Sequence, residues 1–439
     1  MSKQFSSALV LLVLICLLSG TFLPVVSGQT GASRTVQNAA IISTAEAVLK
    51  ETSELRQLSI LREVKSGAQS RSEIEQVIIK NLDADTTPAE MYAAEMLLKA
   101  FGLAPPDFAY RTFLIKLLSE QVAGYYDPKA KQFYLADWIE LDGQKPVMAH
   151  ELTHALQDQH FNLRRFEKWP KGDSDAELAA RALIEGDATL AMTHYLTRHP
   201  MIALAFMRSS EDTPSEQFEQ APRAVRESLL FPYSEGSSWA MDVYERGGWA
   251  MVSKAFTKLP QSTEQILHPE KYFAYESPVK LTLPSFARAL GPGWKRIDND
   301  VSGEWGYYLV LDEFLKDAKL SKQAAAGWGG DRFAIYEGPR KSGVFLAQVT
   351  VWDTATDAQE FFDAYTKRTV KRLGDASTLN ADTSVGDVRR SEWKTRAGDG
   401  VIELRGSRIV ILEGIPAKAN VNKLLKMMWQ QPVTKTSKS

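Results

Sequence analysis

Apolar residues recur at helical spacing over most of the first two thirds of the chain. Residues 39–82 are helical in pattern but rich in polar positions, and Ser70 and Ser72 interrupt them, which predicts a helical hairpin. Two further helices are predicted at 88–101 and 108–119, on either side of a proline pair. The pattern therefore predicts that this part of the protein is mostly helical.

The pattern changes briefly at residues 121–135, where two β-prone runs surround an Asp-Pro turn and predict a hairpin. A helix is predicted directly afterwards, because residues 147–156 are mostly apolar and Pro146 suits a first helical turn. An edge strand beside this helix could hold an extended peptide by backbone pairing, whereas a hairpin buried in the core would have no such role. Both interpretations fit the sequence.

A second strong helix is predicted to begin at Ser174. Glu177 follows three residues later and would complete a capping box, and Pro200 limits the other end. Shorter helices are predicted at 235–246, 249–258 and 262–267, with Gly247, Gly248 and Pro260 as breaks between them.

Strand and helix patterns alternate in the C-terminal third. A helix is predicted at 304–318, followed by strands at 332–336 and 344–352, a helix at 355–369, strands near 385–392, 400–405 and 408–413, and a helix at 420–430. The fold class is therefore α+β, with a mostly helical domain that carries a small edge sheet and a C-terminal α+β accessory domain. The predicted divisions are a signal peptide at 1–28, a helical region at 29–82, the main domain at 83–278, a linker and helix at 279–326 and the accessory domain at 327–439.

Composition places the chain among ordinary globular proteins, with 44% hydrophobic and 24% charged residues. The 52 basic residues nearly balance the 54 acidic ones and form no block suited to phosphates, so nucleic acid is not expected as a partner. The N-terminus has the pattern of an export signal, with Lys3, an apolar run at 8–18 and small residues at 26–28. We expect a secreted or periplasmic protein with no stable membrane span after cleavage, although an uncleaved anchor reaching Val26 is an alternative. The single cysteine, Cys16, would leave with the signal.

The predicted helix at 147–156 contains the chemistry-bearing motif H-E-x-x-H. Residues four apart share one helix face, so His150 and His154 can direct two imidazole nitrogens at one zinc ion. Glu151 lies beside them and can take a proton from a water molecule, as the general base of metal-assisted hydrolysis. The alternative is that the two histidines lie on the exposed surface of an ordinary helix, but such a helix would not need so many apolar residues around them.

A catalytic zinc needs a third protein ligand, and two residues compete for this role. Glu185 lies on an otherwise apolar or small stripe of the second helix, where a carboxylate is costly unless it is paired or bound to a metal. Gly186 beside it suggests that the second helix closely approaches the helix at 147–156, which we call the metal helix. The alternative explanation for a carboxylate at this position is that Glu185 pairs with Arg181. His160 has the spacing of another zinc class, but that class needs a glycine where Gln157 stands, so we favour Glu185.

These motifs together resemble the gluzincin class of zinc metallopeptidases, and more widely a group of exported bacterial metallopeptidases. The likeness spans residues 121–272 and is carried by 124–128, 150–158, 185–188 and 262–269. The resemblance implies a zincin-like catalytic domain in which His150, His154 and Glu185 bind Zn²⁺ and Glu151 polarises water. One position departs from the pattern, because Thr189 stands where many gluzincins have an aspartate that orients a histidine. Asp187 or Thr189 could serve instead.

The sequence thus predicts an exported zinc-dependent metallopeptidase that hydrolyses protein or peptide substrates. A donor for the developing oxyanion is also required, and His268 is favoured because it lies in a segment of the resemblance. The other candidates for this donor are Tyr272, Tyr233 and His194. A non-catalytic zinc-stabilised binding module and a zinc hydrolase of a non-peptide substrate are the alternatives, and the base Glu151 argues against the first of these.

Overall fold

The computed structural model describes residues 31–138, 141–211, 216–374 and 377–432, so the predicted signal peptide lies outside the described residues. The fold is mixed α and β, with many helices, a three-stranded sheet and a seven-stranded sheet.

The helices are α1 (Gly31–Arg56), α2 (Arg71–Asp85), α3 (Pro88–Phe101), α4 (Tyr110–Gln121), α5 (Lys145–Phe161), α6 (Ser174–Arg198), α7 (Pro200–Glu211), α8 (Glu216–Glu219), α9 (Arg223–Ala255), α10 (Thr263–Leu267), α11 (Pro269–Ala274), α12 (Ala287–Leu290), α13 (Gly303–Leu315), α14 (Ala318–Ala325), α15 (Ala355–Leu373) and α16 (Val421–Trp429). The strands are β1 (Lys65–Gln69), β2 (Gly124–Asp127), β3 (Gln132–Ala136), β4 (Lys295–Asp300), β5 (Trp328–Glu337), β6 (Val344–Trp352), β7 (Ser377–Val385), β8 (Val388–Thr395), β9 (Asp399–Arg405) and β10 (Arg408–Ile415).

The predicted N-terminal helical hairpin is wrong, because β1 separates the two helices and each packs on a different partner. Helix α1 packs against α5 and α6, while α2 packs against α4. The break at Ser70 is confirmed, since Ser70 caps α2 and forms a capping box with Glu73. The strand was missed because its residues, KSGAQ, show no apolar alternation, and its pairing with β3 supplies the strand conformation.

The predicted hairpin before the metal helix is confirmed. Strands β2 and β3 pair antiparallel from Gly124 and Leu135 to Asp127 and Gln132. The side chain of Asp127 accepts two backbone N–H groups of the turn that follows it. The strand order is β1-β3-β2, so β2 is an edge strand, and it packs against α5.

The second strong helix is confirmed as α6, but its predicted capping box is wrong. Ser174 is the first residue of the helix, and its hydroxyl donates to Asp300 instead of capping the helix. Glu177 pairs with Arg181 one turn further along α6. Asp300, the last residue of β4, therefore binds Ser174 at the start of α6, and this contact replaces the local cap that the sequence pattern predicted.

Two glycines allow α6 and α9 to approach closely. A Cβ atom on Gly186 would lie 2.1 Å from the backbone oxygen of Gly236, and one on Gly236 would lie 2.4 Å from that of Ala182. A close approach at Gly186 is therefore confirmed, but its partner is α9 and not the metal helix. Helix α9 begins earlier than predicted, at Arg223, and breaks at Gly247 and Gly248 as the sequence indicated.

The C-terminal sheet has the strand order β4-β5-β6-β10-β9-β8-β7, with all of its pairs antiparallel. Alternate residues face opposite sides, as in β5, where Phe333 and Ile335 join the core of the helical part while Ala334 and Tyr336 pack against the α16 side. One hydrophobic core thus runs from α6 and α9 through α13 and α15 to the sheet. Strand β4 and α13 lie in the segment predicted as a linker and helix.

Over the ranges that the structure describes, no helix is both long enough and apolar enough to cross a membrane.

Candidate metal centre

Helices α5 and α6 bring three potential ligands together. His150 and His154 lie one turn apart on the buried face of α5, and their Nε2 atoms are 3.1 Å apart. Glu185 on α6 places its Oε2 3.2 Å from Nε2 of His150 and 3.3 Å from Nε2 of His154. The three side chains predicted as ligands therefore meet at one point, and each is almost fully buried.

The spacing of these three atoms fits a zinc ion. Zinc in proteins binds nitrogen and oxygen at roughly 2.0–2.1 Å, and the edges of a tetrahedron of that radius are about 3.3–3.4 Å long. The three observed separations of 3.1, 3.2 and 3.3 Å lie at or just below the lower end of this range. Two imidazoles and a carboxylate are also a donor set that zinc prefers. The residues present thus fit the ion that the motif implies.

The alternative third ligand, His160, lies elsewhere. Its Nε2 contacts the backbone oxygen of Ser59 at 2.8 Å. Helix α5 continues through Gln157 to Phe161, so the chain does not turn back toward the first two histidines. In the alternative explanation Glu185 would pair with Arg181, but Arg181 pairs with Glu177 and Glu185 contacts the two histidines.

Glu151 lies in the same cluster as the two histidines. One of its carboxylate oxygens lies within 4.8 Å of a ring nitrogen of each histidine, so Glu151 belongs to the same cluster of potential ligands. Its Oε2 accepts the backbone N–H of Tyr126 in strand β2, at 3.0 Å. Burial raises the pKa of Glu151 to about 8. Glu185 contacts both histidines, whereas one oxygen of Glu151 is held by Tyr126, and on this ground we favour a ligand for Glu185 and a base for Glu151.

The electrostatics of the three ligands favour a positive charge between them. Burial alone would raise the pKa of Glu185, but the two imidazoles lower it to about 2. Burial would lower the pKa of His154, yet the Glu185 carboxylate raises it to about 9, while desolvation lowers that of His150 to about 4. Glu185 is therefore ionised at neutral pH and holds a cationic partner in the metal-free protein.

A glutamine orients the second histidine. The Nδ1 of His154 lies 2.9 Å from Oε1 of Gln157, one turn further along α5. Gln157 in turn donates to Asp187 on α6 at 2.8 Å. Among the described residues, neither Nδ1 of His150 nor the hydroxyl of Thr189 has a hydrogen-bond partner. Of the two residues expected to orient a histidine, Asp187 therefore takes part, but only through Gln157.

The favoured oxyanion donor, His268, lies in a different cluster. Its Nε2 contacts Glu304 of α13 at 2.8 Å, and its Nδ1 lies 3.9 Å from Glu270. Tyr272 donates to the backbone oxygen of Lys258, and His194 lies against Tyr244 and Trp249. The structure gives no support to these three candidates.

Tyr233 is the remaining candidate, and it lies next to the centre. Its ring centroid is 6.1 Å from that of His150. Burial, followed by the nearby carboxylates of Glu185 and Glu151, raises the pKa of Tyr233 well above its usual value. The hydroxyl therefore keeps its proton at neutral pH and can act as a donor.

Sequence reasoning missed three residues of this centre. Gln157 was used only as an argument against His160, although its position three residues after His154 places it on the same helix face. Tyr126 contributes its backbone N–H, and the identity of a side chain does not indicate that the backbone of that residue takes part. Arg56 pairs with Asp187 across 131 positions of sequence, a separation that no local pattern covers.

Comparison with known proteins covers the C-terminal part alone. Residues 290–425 match the family model described as "Domain of unknown function (DUF8575)". No curated protein matches the chain, and no solved structure matches it. The matched range begins just before β4 and ends within α16, so it corresponds to the seven-stranded sheet and its helices.

Proposed function

We propose that this protein is an exported zinc-dependent metallopeptidase with a zincin-like catalytic domain of the gluzincin type. The observation that carries the proposal is the convergence of His150, His154 and Glu185 at tetrahedral spacing, with Glu151 beside them. A purely structural zinc site has no use for a buried base at this position. Export is inferred from the pattern of the first residues alone.

Each residue has a definite role in the proposed reaction. His150, His154 and Glu185 would hold the ion, which when bound polarises a carbonyl group and makes water more acidic. Glu151 would take the proton from the attacking water and later pass it to the leaving amine. The backbone N–H of Tyr126 holds one oxygen of Glu151 and so directs the carboxylate. The Tyr233 hydroxyl would donate to the developing oxyanion.

Strand β2 supplies a means of binding an extended substrate. It is the edge strand of its sheet, and the N–H of Tyr126 on its outer edge reaches Glu151. A peptide that paired with this edge would pass its backbone beside the general base. Protein or peptide substrates are therefore the class that this arrangement favours.

Metal analysis and a digest of casein and a peptide library test the proposal on the purified protein. We expect one zinc ion per chain and cleavage that a chelator abolishes. Glu151→Gln should lower the cleavage rate by about 10²–10⁴-fold, because general base catalysis contributes about that much, while zinc content is unchanged. Glu185→Gln should lower zinc content as well.

Glu177→Gln is the matched control for Glu185→Gln, because it removes the same charge from α6 outside the centre. It should keep both zinc and activity. Unchanged cleavage by Glu151→Gln would contradict the proposed mechanism. One bound zinc without cleavage of any peptide by the unaltered protein would instead favour the non-catalytic zinc-stabilised module or a non-peptide substrate.

A further inference from the structure

A buried arginine connects the first helix to the neighbourhood of the metal centre. Arg56 is the last residue of α1, and none of its side chain is exposed. Its guanidinium contacts both oxygens of Asp187, with Nε to Oδ1 at 2.5 Å and Nη2 to Oδ2 at 3.2 Å. It also donates to Ser253 at 3.1 Å and lies over the Trp249 ring at 4.6 Å. Contacts on several sides thus fix this guanidinium, and the guanidinium fixes the Asp187 carboxylate.

The fixed carboxylate determines which end of the Gln157 amide faces the histidine. The amide nitrogen of Gln157 donates to Oδ2 of Asp187 at 2.8 Å and to the backbone oxygen of Ile184 at 3.0 Å. Both of these partners are acceptors, so the NH₂ group must point at them and Oε1 must point the other way. Oε1 lies 2.9 Å from Nδ1 of His154. As an acceptor, it requires that Nδ1 carries the hydrogen.

A hydrogen on Nδ1 leaves Nε2 of His154 with its lone pair, and this is the atom that faces Glu185 and His150. Neutral imidazole binds a metal through the nitrogen without hydrogen, so the other tautomer could not act as a ligand here. The chain of contacts from Arg56 through Asp187 and Gln157 therefore favours the tautomer of His154 in which Nε2 can bind a metal.

We propose that Arg56 is a positioning residue of the metal centre, which acts on His154 through Asp187 and Gln157. This inference rests on the metal site of the proposed function. It makes α1 a component of the centre and not a separable N-terminal extension, since α1 supplies the cation that Asp187 contacts.

Zinc affinity of the full chain, measured by competition with a chromophoric chelator, tests the inference. Arg56→Met and Gln157→Met should each weaken zinc binding by about 10-fold or more, the usual effect of losing a partner that orients a ligand. The double variant should bind zinc no more than about twofold more weakly than the weaker single variant, because both changes break the same chain of contacts. In the metal-free protein above about pH 9, where the His154 ring is neutral, its ¹⁵N signals should report hydrogen on Nδ1 in the unaltered protein and a mixture of tautomers in Arg56→Met.

Arg368→Met is the matched control, because Arg368 is also fully buried and pairs with a carboxylate, Glu413, in the C-terminal unit. It should lower the unfolding midpoint without changing zinc affinity or the His154 tautomer. If Arg56→Met does not fold, Arg56→Lys replaces it, with the same direction of change expected because an ammonium cannot contact both oxygens in the same way.

Three results separate the possible failures. Unchanged zinc affinity in the folded Arg56 variant would overturn the inference, and so would losses that multiply in the double variant. A full chain that binds no zinc at all would instead refute the proposed function, on which the inference depends.

Discussion

Replacing Gly186 by alanine tests whether the contact between α6 and α9 sets the position of the ligand Glu185. The added Cβ would lie 2.1 Å from the backbone oxygen of Gly236, whereas real Cβ contacts are essentially never shorter than 3.0 Å. The obstacle is backbone and not a flexible side chain, so the helices must separate by roughly 1 Å to relieve the overlap. Glu185 is the neighbouring residue and would move with α6.

Two opposing effects determine the change in the free energy of unfolding. Alanine is favoured over glycine inside a helix by about 1 kcal/mol, which stabilises the variant. Overpacking of a well-filled interior costs about 1–3 kcal/mol, and a contact between two backbones belongs at the upper end of this range. We therefore expect Gly186→Ala to be destabilised by about 2 kcal/mol, with weaker zinc binding as well.

Urea unfolding followed by circular dichroism, together with chelator competition for zinc, measures both effects. Gly306→Ala in α13 is the matched control, because the nearest atom to its added Cβ is a side-chain carbon of Ser302 at 3.3 Å. This control should be as stable as the unaltered protein or more stable, by up to about 1 kcal/mol, and should bind zinc normally. A Gly186→Ala protein that matches the control in both measurements would refute the reasoning.

Two further predictions concern pH. The Glu185 carboxylate outweighs burial and raises the pKa of His154 to about 9 in the metal-free protein, so zinc must displace a proton below that pH, and its affinity should fall by about tenfold per pH unit from about pH 9 to about pH 8. Below about pH 8 the affinity should fall more steeply, because Glu151 then also holds a proton that zinc displaces. Chelator competition across this range checks the slope, and a flat profile would contradict it. Burial raises the pKa of Asp175 from its ordinary value of 3.8 to about 8, so this group favours folding when protonated, and its contribution is lost as the pH rises toward 8. Asp175→Asn should therefore gain stability relative to the unaltered protein between about pH 4 and about pH 8 in urea unfolding, whereas a constant difference between the two curves would contradict the assignment.

The parts of the fold that local pattern specifies were predicted well. Helix α3 and strand β6 occupy the predicted residues, and the metal helix extends the predicted segment by a few residues at each end. In each of these elements the apolar period or a proline carries the signal within the element itself. The three residues that meet at the candidate centre were predicted for the same reason, because each histidine lies on a recognisable helix face and Glu185 is a carboxylate on an apolar stripe.

The missed features all depend on a partner distant in sequence. Strands β1 and β4 have no apolar alternation and are strands because a neighbouring strand pairs with them. The close approach at Gly186 was expected, but a glycine indicates only that something is near and does not say what. Arg56 gives no signal at all, because a lone arginine at the end of a polar helix has the pattern of a solvated residue.

The buried charges around the centre give a reason to expect that metal binding depends on helix α1. Three carboxylates, those of Glu151, Glu185 and Asp187, are buried in this region, and Arg56 is the cation that pairs with one of them. Buried charge is costly without compensation, and the raised pKa values of Glu151 and His154 indicate that the metal-free protein would balance the remainder by holding protons. A bound dication would release those protons, leaving Glu151 ionised as a base. Because Arg56 pairs with Asp187, we propose a different role for each carboxylate: Glu185 binds the ion, Glu151 accepts protons and Asp187 orients Gln157.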